Sequence, residues 1–172
     1  NAGVMLNEAA ESADGIDLPF QANHLGHFLL TRLCLPLIQR AQGRVVNVGS
    51  AIHHIPKKLD IANLAHRKTF PGMFEVYSET KLCNALFTAE LNRRFGSQRQ
   101  KEVATITAFC VHPGTVITSD VARNLPPWIV YLNTLSLPFT KLVAKAGVEG
   151  CYSSLYAATT LSLAPFDSNP NS

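Results

Sequence analysis

"GRVVNVGS", Gly43 to Ser50, decides the fold. Val45, Val46 and Val48 are β-branched, and Gly43 and Gly49 bound them. Such a run predicts a short strand, since β-branched side chains fit extended backbone and glycines punctuate it. Upstream, from about Leu18 to Gln42, the pattern turns helical. Pro19 suits a first turn, and Phe20, Leu25, Phe28, Leu29, Leu33 and Leu37 supply apolar bulk. Pro36 is expected to bend that helix or end it early, because proline lacks an N–H and crowds the preceding turn.

Downstream, residues 51 to about 71 read as an irregular connection containing two prolines. A long helix follows, "FEVYSETKLCNALFTAELNRRFG" from Phe74 to Gly96. Arg93, Arg94 and a C′ glycine at Gly96 close it. "EVATITAFCVHPG", Glu102 to Gly114, is a second buried strand ending in a Pro-Gly turn. Residues 119–145 are irregular or short helices, and Gly147 to Thr160 is a final helix. The order helix, strand, helix, strand, helix predicts an α/β fold with a parallel sheet, joined by right-handed crossovers. In such sheets ligands bind beyond the carboxyl ends of the strands. Those ends are "GSAIHH" and "HPGTVITS", both dense in small and polar residues.

The bulk numbers fit one globular domain. The chain has 172 residues, 47% hydrophobic and 16% charged. Net charge is +3, with no basic run that would track a phosphate backbone, so nucleic acid is not an expected partner. Cys34, Cys83, Cys110 and Cys151 form no Cys-x-x-Cys pair and sit in apolar stretches. They read as buried thiols in an intracellular, reducing compartment. "LPPWIVYLNTLSLPFTKLVAKAG", Leu125 to Gly147, is broken by Pro126, Pro127, Asn133, Pro138 and Lys141, so a spanning helix is not expected there. A segment that covers substrate or skims a membrane surface fits better. Asn1 is not a Met, and the opening "NAG" reads as the end of a structural unit. "APFDSNPNS" at the other end reads as a loop. The expectation is a fragment of a longer protein.

Several side chains could carry chemistry. Tyr77 and Lys81 are four apart on the second helix, hence on one face. They are either two amphipathic side chains at the edge of a core or a phenol tuned by a neighbouring ammonium. Ser50 ends the first strand, at the edge of the sheet where that helix begins. It caps nearby backbone or holds a substrate oxygen beside the phenol. Tyrosine has a pKa of about 10, and lowering it by about three units takes about 4 kcal/mol, a plausible sum of one close cation and a cofactor's positive ring. Asn23 is disfavoured mid-helix, and a buried amide needs partners. It satisfies a backbone irregularity, holds a water near the site, or does both. His24 and His27, and His53 and His54, invite a metal, but zinc wants three or four ligands and no HExxH-type motif is present, so no metal site is expected. Ser50 lacks the Gly-x-Ser-x-Gly elbow of a hydrolase.

"NAG" (Asn1–Gly3), "NHLGHFLLT" (Asn23–Thr31), "GRVVNVGSA" (Gly43–Ala51), "YSETK" (Tyr77–Lys81) and "HPGTVIT" (His112–Thr118) occur in the order and spacing of the short-chain dehydrogenase/reductases. The chain resembles that family over nearly its whole length, and most resembles its retinol-dehydrogenase branch, which includes the catalytic part of WW-domain oxidoreductases. The resemblance implies a partial Rossmann-like, doubly wound parallel sheet in one domain over residues 1–172, with 119–145 as a substrate lid. It implies an enzyme that interconverts an alcohol and a carbonyl with NAD(H) or NADP(H), on a lipophilic substrate such as a retinoid or steroid. Tyr77 would be the acid/base. Lys81 would lower its pKa and hold the nicotinamide ribose. Ser50 would position the substrate oxygen, and Asn23 would hold a water that links Lys81 to solvent. Asn1, Ala2 and Gly3 would line the adenosine side, with Pro113, Gly114, Val116 and Thr118 around the nicotinamide.

Two departures stand out. The family's strand usually ends in Ser-Ser; here it is Gly49-Ser50, which keeps the second serine and is expected to loosen the turn. The family's Gly-rich first βαβ unit and its last strand have no counterpart in the 172 residues. A sheet this small leaves an edge and helix faces uncovered, so the chain alone is expected to bind dinucleotide poorly and to be marginally stable. The alternative function is a non-catalytic binding or scaffold module, or a truncated inactive fragment. The intact Asn23, Ser50, Tyr77 and Lys81 set favours the enzyme for the full-length parent.

Overall fold

The run at Gly43–Ser50 does form the first strand. A computed structural model describes residues 3–96, 106–114 and 147–160. In it, β1 (Arg44–Val48) pairs in parallel with β2 (Thr107–Val111), Arg44 opposite Thr107 and Val48 opposite Val111. Parallel strands need a long crossover. This one carries a 3₁₀ turn (Ala51–His54) and two helices, α3 (Ile61–Leu64) and α4 (Met73–Phe95). The expected α/β class therefore holds. So does the long helix of the Tyr77 motif.

Ahead of β1 the helical region is built in three pieces. α1 (Leu18–Phe20) starts with Pro19 in its first turn and with Asp17 as cap: Phe20 N donates to Asp17 Oδ1 at 2.9 Å. A π-helical turn, Gln21–Leu25, leads directly into α2, Gly26–Arg40. The sequence reading placed the disturbance at Pro36. The structure places it at Gln21–Leu25, and α2 runs through Pro36 to Arg40. Pro36 and Arg32, whose carbonyl loses its helical partner, are both exposed, so water can satisfy that carbonyl.

Strand side chains alternate between faces, and each face meets different helices. On one face, Val45 and Ala108 pack with Leu35 of α2, Leu91 of α4 and Ile106. Asn47 on that face donates to Thr88 Oγ1 at 2.8 Å. Asn92 of α4 accepts from Ala108 N at 2.9 Å and donates to Ala108 O at 2.8 Å. Those are two β2 groups that β1 does not use. On the other face, Arg44 donates to Ala157 O and Ala158 O at 3.0 and 3.2 Å. These carbonyls end a helix, where a cation is favoured. The expected final helix is two pieces, α5 (Gly147–Gly150) and α6 (Tyr152–Thr159), separated by a turn at Cys151.

Three local expectations are corrected. Only Cys83 is buried; Cys34 is half-buried, and Cys110 and Cys151 are exposed. Cys110 shares a strand face with Ala108 but lies outside the Val45–Leu91 cluster, and Cys151 sits in the turn between two helices. Gly96 ends α4 in extended rather than left-handed backbone, with φ of −78°. A Cβ there would lie 2.5 Å from the Asn92 carbonyl, so close approach, not a positive φ, calls for glycine. Finally, Leu29, Leu33 and Leu37 of α2, expected as apolar bulk, are exposed along the outer side of that helix, as is Leu30. Among the described residues no helix is long and apolar enough to cross a membrane.

Candidate active site

The carboxyl end of β1 is fixed by backbone. Gly49 N donates to Val111 O at 2.8 Å, which continues the β1–β2 ladder one residue past Val48. A Cβ at Gly49 would lie 2.6 Å from Cys110 Sγ. Gly49 therefore does not loosen the turn: it stays paired, and its missing side chain makes room for a thiol. Ser50 follows in extended backbone and caps the 3₁₀ turn, its Oγ accepting from Ile52 N at 3.4 Å. The capping reading is thus realised. A hydroxyl that accepts still has its O–H to donate.

α4 begins after Gly72, whose φ of 131° suits only glycine. This start puts Tyr77 and Lys81 on the first turns. Lys81 is buried, 7% exposed, and donates from Nζ to Val48 O at 2.9 Å. The same Nζ lies 5.4 Å from the Tyr77 ring centroid, within cation–π range. One ammonium thus joins the end of β1, two residues before Ser50, to the phenol of α4.

The electrostatics differ from the sequence reading in one respect. Tyr77 was expected to be acidified; instead burial pushes its phenol above the usual tyrosine range. Burial also lowers Lys81, partly offset by the Cys110 thiol nearby. The cause is geometric. The phenol is largely enclosed, and burial disfavours the charged phenolate.

Asn23 is fully buried within the π-helical turn. Its Oδ1 accepts from Val4 N at 2.7 Å, and its Nδ2 donates to Val4 O at 2.9 Å and to Thr80 Oγ1 at 3.1 Å. The Asn23 carbonyl accepts from Asn84 Nδ2 at 3.0 Å and lies 3.0 Å from His27 Nδ1. The backbone-irregularity reading of Asn23 is therefore realised. Through Val4 the amide also holds the segment after Gly3, where a Cβ would meet Asn23 Oδ1 at 3.4 Å.

Two residues that the sequence reading passed over complete the set. Thr80, between Tyr77 and Lys81, donates to Tyr77 O at 2.7 Å and accepts from Asn23. Asn84 reaches His24 Nδ1 at 2.8 Å; burial of that ring lowers its pKa, with the Asn84 bond opposing. The signal was available: Thr80, Asn84 and Thr88 are polar at helical spacing, and all three are buried. Of the remaining candidates, Pro113 and Gly114 follow the end of β2, Gly114 with φ of 85°. Asn1, Ala2, Val116, Thr118 and the 119–145 lid lie outside the described residues.

The donor set suits a nicotinamide dinucleotide. An ammonium has three N–H donors. Among the described residues Val48 takes one, which leaves Lys81 two for a neighbouring diol. Among the described residues, no three His, Cys, Asp or Glu side chains gather as metal ligands would.

No family model matches the chain. The chicken WW domain-containing oxidoreductase is 36% identical over 95% of this chain and 38% of its own length. Human retinol dehydrogenase 12 is 38% identical over 96% of this chain and 48% of its own length. The chain thus spans less than half the length of these curated relatives. A crystal structure of an uncharacterized protein from Mycobacterium paratuberculosis superposes with TM-score 0.65 at 31% identity, over 93% of this chain and 48% of that one. The KRED1-Pglu enzyme, 18% identical with TM-score 0.59 over 95% of this chain and 62% of that one, shares the fold. The fold is Rossmann-like, and over nearly its whole length the chain is homologous to oxidoreductases of the short-chain dehydrogenase/reductase family.

Proposed function

We propose that this chain is the catalytic part of an NAD(P)-dependent oxidoreductase that interconverts an alcohol and a carbonyl on a lipophilic substrate. One observation carries the reading: Lys81 Nζ lies between the Val48 carbonyl and the Tyr77 ring, two residues from Ser50. A phenol, an ammonium and a hydroxyl at the carboxyl end of a parallel strand suit proton transfer to a bound oxygen.

Ser50 would donate a hydrogen bond to the substrate oxygen. Tyr77 would give that oxygen a proton during reduction and take one during oxidation. Lys81 would hold the nicotinamide ribose with its two remaining donors and stabilise the phenolate. Gly3, after Asn1 and Ala2, would line the adenosine side, and Pro113 and Gly114, with Val116 and Thr118, the nicotinamide side. The nicotinamide supplies or accepts the hydride. Tyr77, raised by burial, would be brought down by a positive nicotinamide ring beside it. Asn23 would keep the turn in shape and hold a water on the way from Lys81 to solvent.

The lipophilic substrate rests on the retinol dehydrogenases among the relatives and on the apolar lid, Trp128, Ile129, Val130, Tyr131, Leu132 and Phe139. The setting would be intracellular, at a membrane surface or in the cytoplasm, in keeping with four cysteines that are free thiols. The test is reduction of a panel of aldehydes and ketones by the full-length protein with NADPH or NADH. Turnover that rises with substrate lipophilicity is expected. No turnover on any carbonyl with either nucleotide would overturn the proposal.

A further inference from the structure

The long connection between Ser50 and Tyr77 holds a buried cation that the proposed chemistry does not use. Arg67 has a side chain 4% exposed. Its Nε donates to Asp17 Oδ2 at 3.1 Å, and its Nη1 lies 2.9 Å from Glu79 Oε2, an ion-pair distance off the hydrogen-bond line. Asp17 is equally buried, and its other oxygen caps α1. Glu79 stands on α4 midway between Tyr77 and Lys81. Two residues on a helix turn about 200°, so Glu79 faces away from both.

The contacts around Arg67 run the same way. Asp17 N donates to Ala65 O at 2.8 Å, and His66 Nδ1 lies 3.1 Å from Gly15 O. Leu64 is buried with Phe20 of α1 and Cys83 of α4. The connection is therefore fastened to the start of α1 and to the back of α4, rather than lying loose between β1 and the helix.

We propose that Arg67 is a positioning residue: with Asp17 and Glu79 it clamps the first turns of α4 against the α1 cap, and so sets where Tyr77 stands relative to Ser50 and Asn23. This rests on the proposed reductase reading for its effect on turnover, but not for its effect on α4. A buried ion pair is weak support for stability, because hydrophobic replacements of similar volume do as well or better, while removal of one partner strands a buried charge. What an apolar triad cannot reproduce is a directional link from Asp17 to Glu79. That difference separates positioning from stability.

The test uses the full-length protein in three forms: Arg67→Met, Arg67→Lys, and the triple Asp17→Asn, Arg67→Met, Glu79→Leu, whose Asn keeps the helix cap. Arg67→Met should melt roughly 10 °C lower, since two carboxylates are left buried. Arg67→Lys should recover part of that loss. The triple should melt within a few degrees of wild type. Its kcat should stay about tenfold down with the cofactor KM unchanged, the size of loss a small misplacement causes. Amides of residues 73–81 should exchange at least about tenfold faster in the triple than in wild type. A triple that regains both full kcat and wild-type exchange overturns the clamp, as does an Arg67→Met that loses neither stability nor turnover. Should wild type reduce no carbonyl, the reductase reading fails alone, and the exchange rates still decide the clamp.

Discussion

Asn23→Ala probes the point where the site meets the fold. The amide makes three hydrogen bonds, two to Val4 and one to Thr80. Each contributes about 1 kcal/mol net. The substitution also leaves a small void at a fully buried position and strips both Val4 backbone groups of their partner. Val4 is half-buried, so water reaches part of that loss. Thr80 keeps its bond to the Tyr77 carbonyl. The sum is about 3–5 kcal/mol, with about 1 kcal/mol of it from the void. Urea unfolding of the full-length protein, followed by far-UV circular dichroism, measures it as a shift in midpoint at constant slope. A double cycle with Thr80→Val should show coupling of about 1 kcal/mol, since the two side chains share one bond. A loss below about 1 kcal/mol, or additive single losses, would refute the idea that this amide ties the π-helical turn to α4.

Two further outcomes follow from the site. Gly49→Ala places a Cβ against Cys110 Sγ, which lies 2.6 Å from that point. It should cost about 1–3 kcal/mol by overpacking, and adding Cys110→Ala should recover most of it in the same urea assay. Burial holds Lys81 below the ordinary lysine range. Unfolded chain therefore binds more protons between the folded value and about 10.4, and the contribution of Lys81 to stability rises with pH across that interval. Lys81→Met should abolish that rise. At neutral pH it should change stability by less than about 1 kcal/mol, because losing a desolvated charge offsets the unpaired Val48 carbonyl. Its turnover should fall sharply. A wild-type stability that drops over the same interval would contradict the assignment.

How much was legible depends on the kind of information each feature needs. Local pattern was enough for β1, β2 and α4, because a β-branched run between glycines and a long 3.6-period stretch each have one natural reading. It was enough to bring Lys81 and Tyr77 to the end of β1, because a parallel crossover returns the next helix to that edge. The π-helical turn was not legible: its only trace is Asn23, and its cause is a tertiary pairing with Val4, 19 residues away. Pro36 misled because its effect depends on which side of α2 faces water. Gly49 misled for a similar reason, since the neighbour that needs its missing side chain, Cys110, lies on another strand. The sign of the Tyr77 shift also lay beyond sequence, as it turns on how far the phenol is buried. Arg67 was hidden in a connection that looked irregular, and only its burial marks it.

The most direct test is Tyr77→Phe in the full-length protein, read as single-turnover reduction alongside nucleotide affinity. The substitution removes a hydroxyl and keeps the ring that Lys81 covers. Turnover should fall by a factor on the order of 10³ or more while the nucleotide Kd changes by less than about threefold, since positioned proton transfer contributes about 10²–10⁴. A variant that still reduces carbonyls at near wild-type rate would show that another group moves the proton.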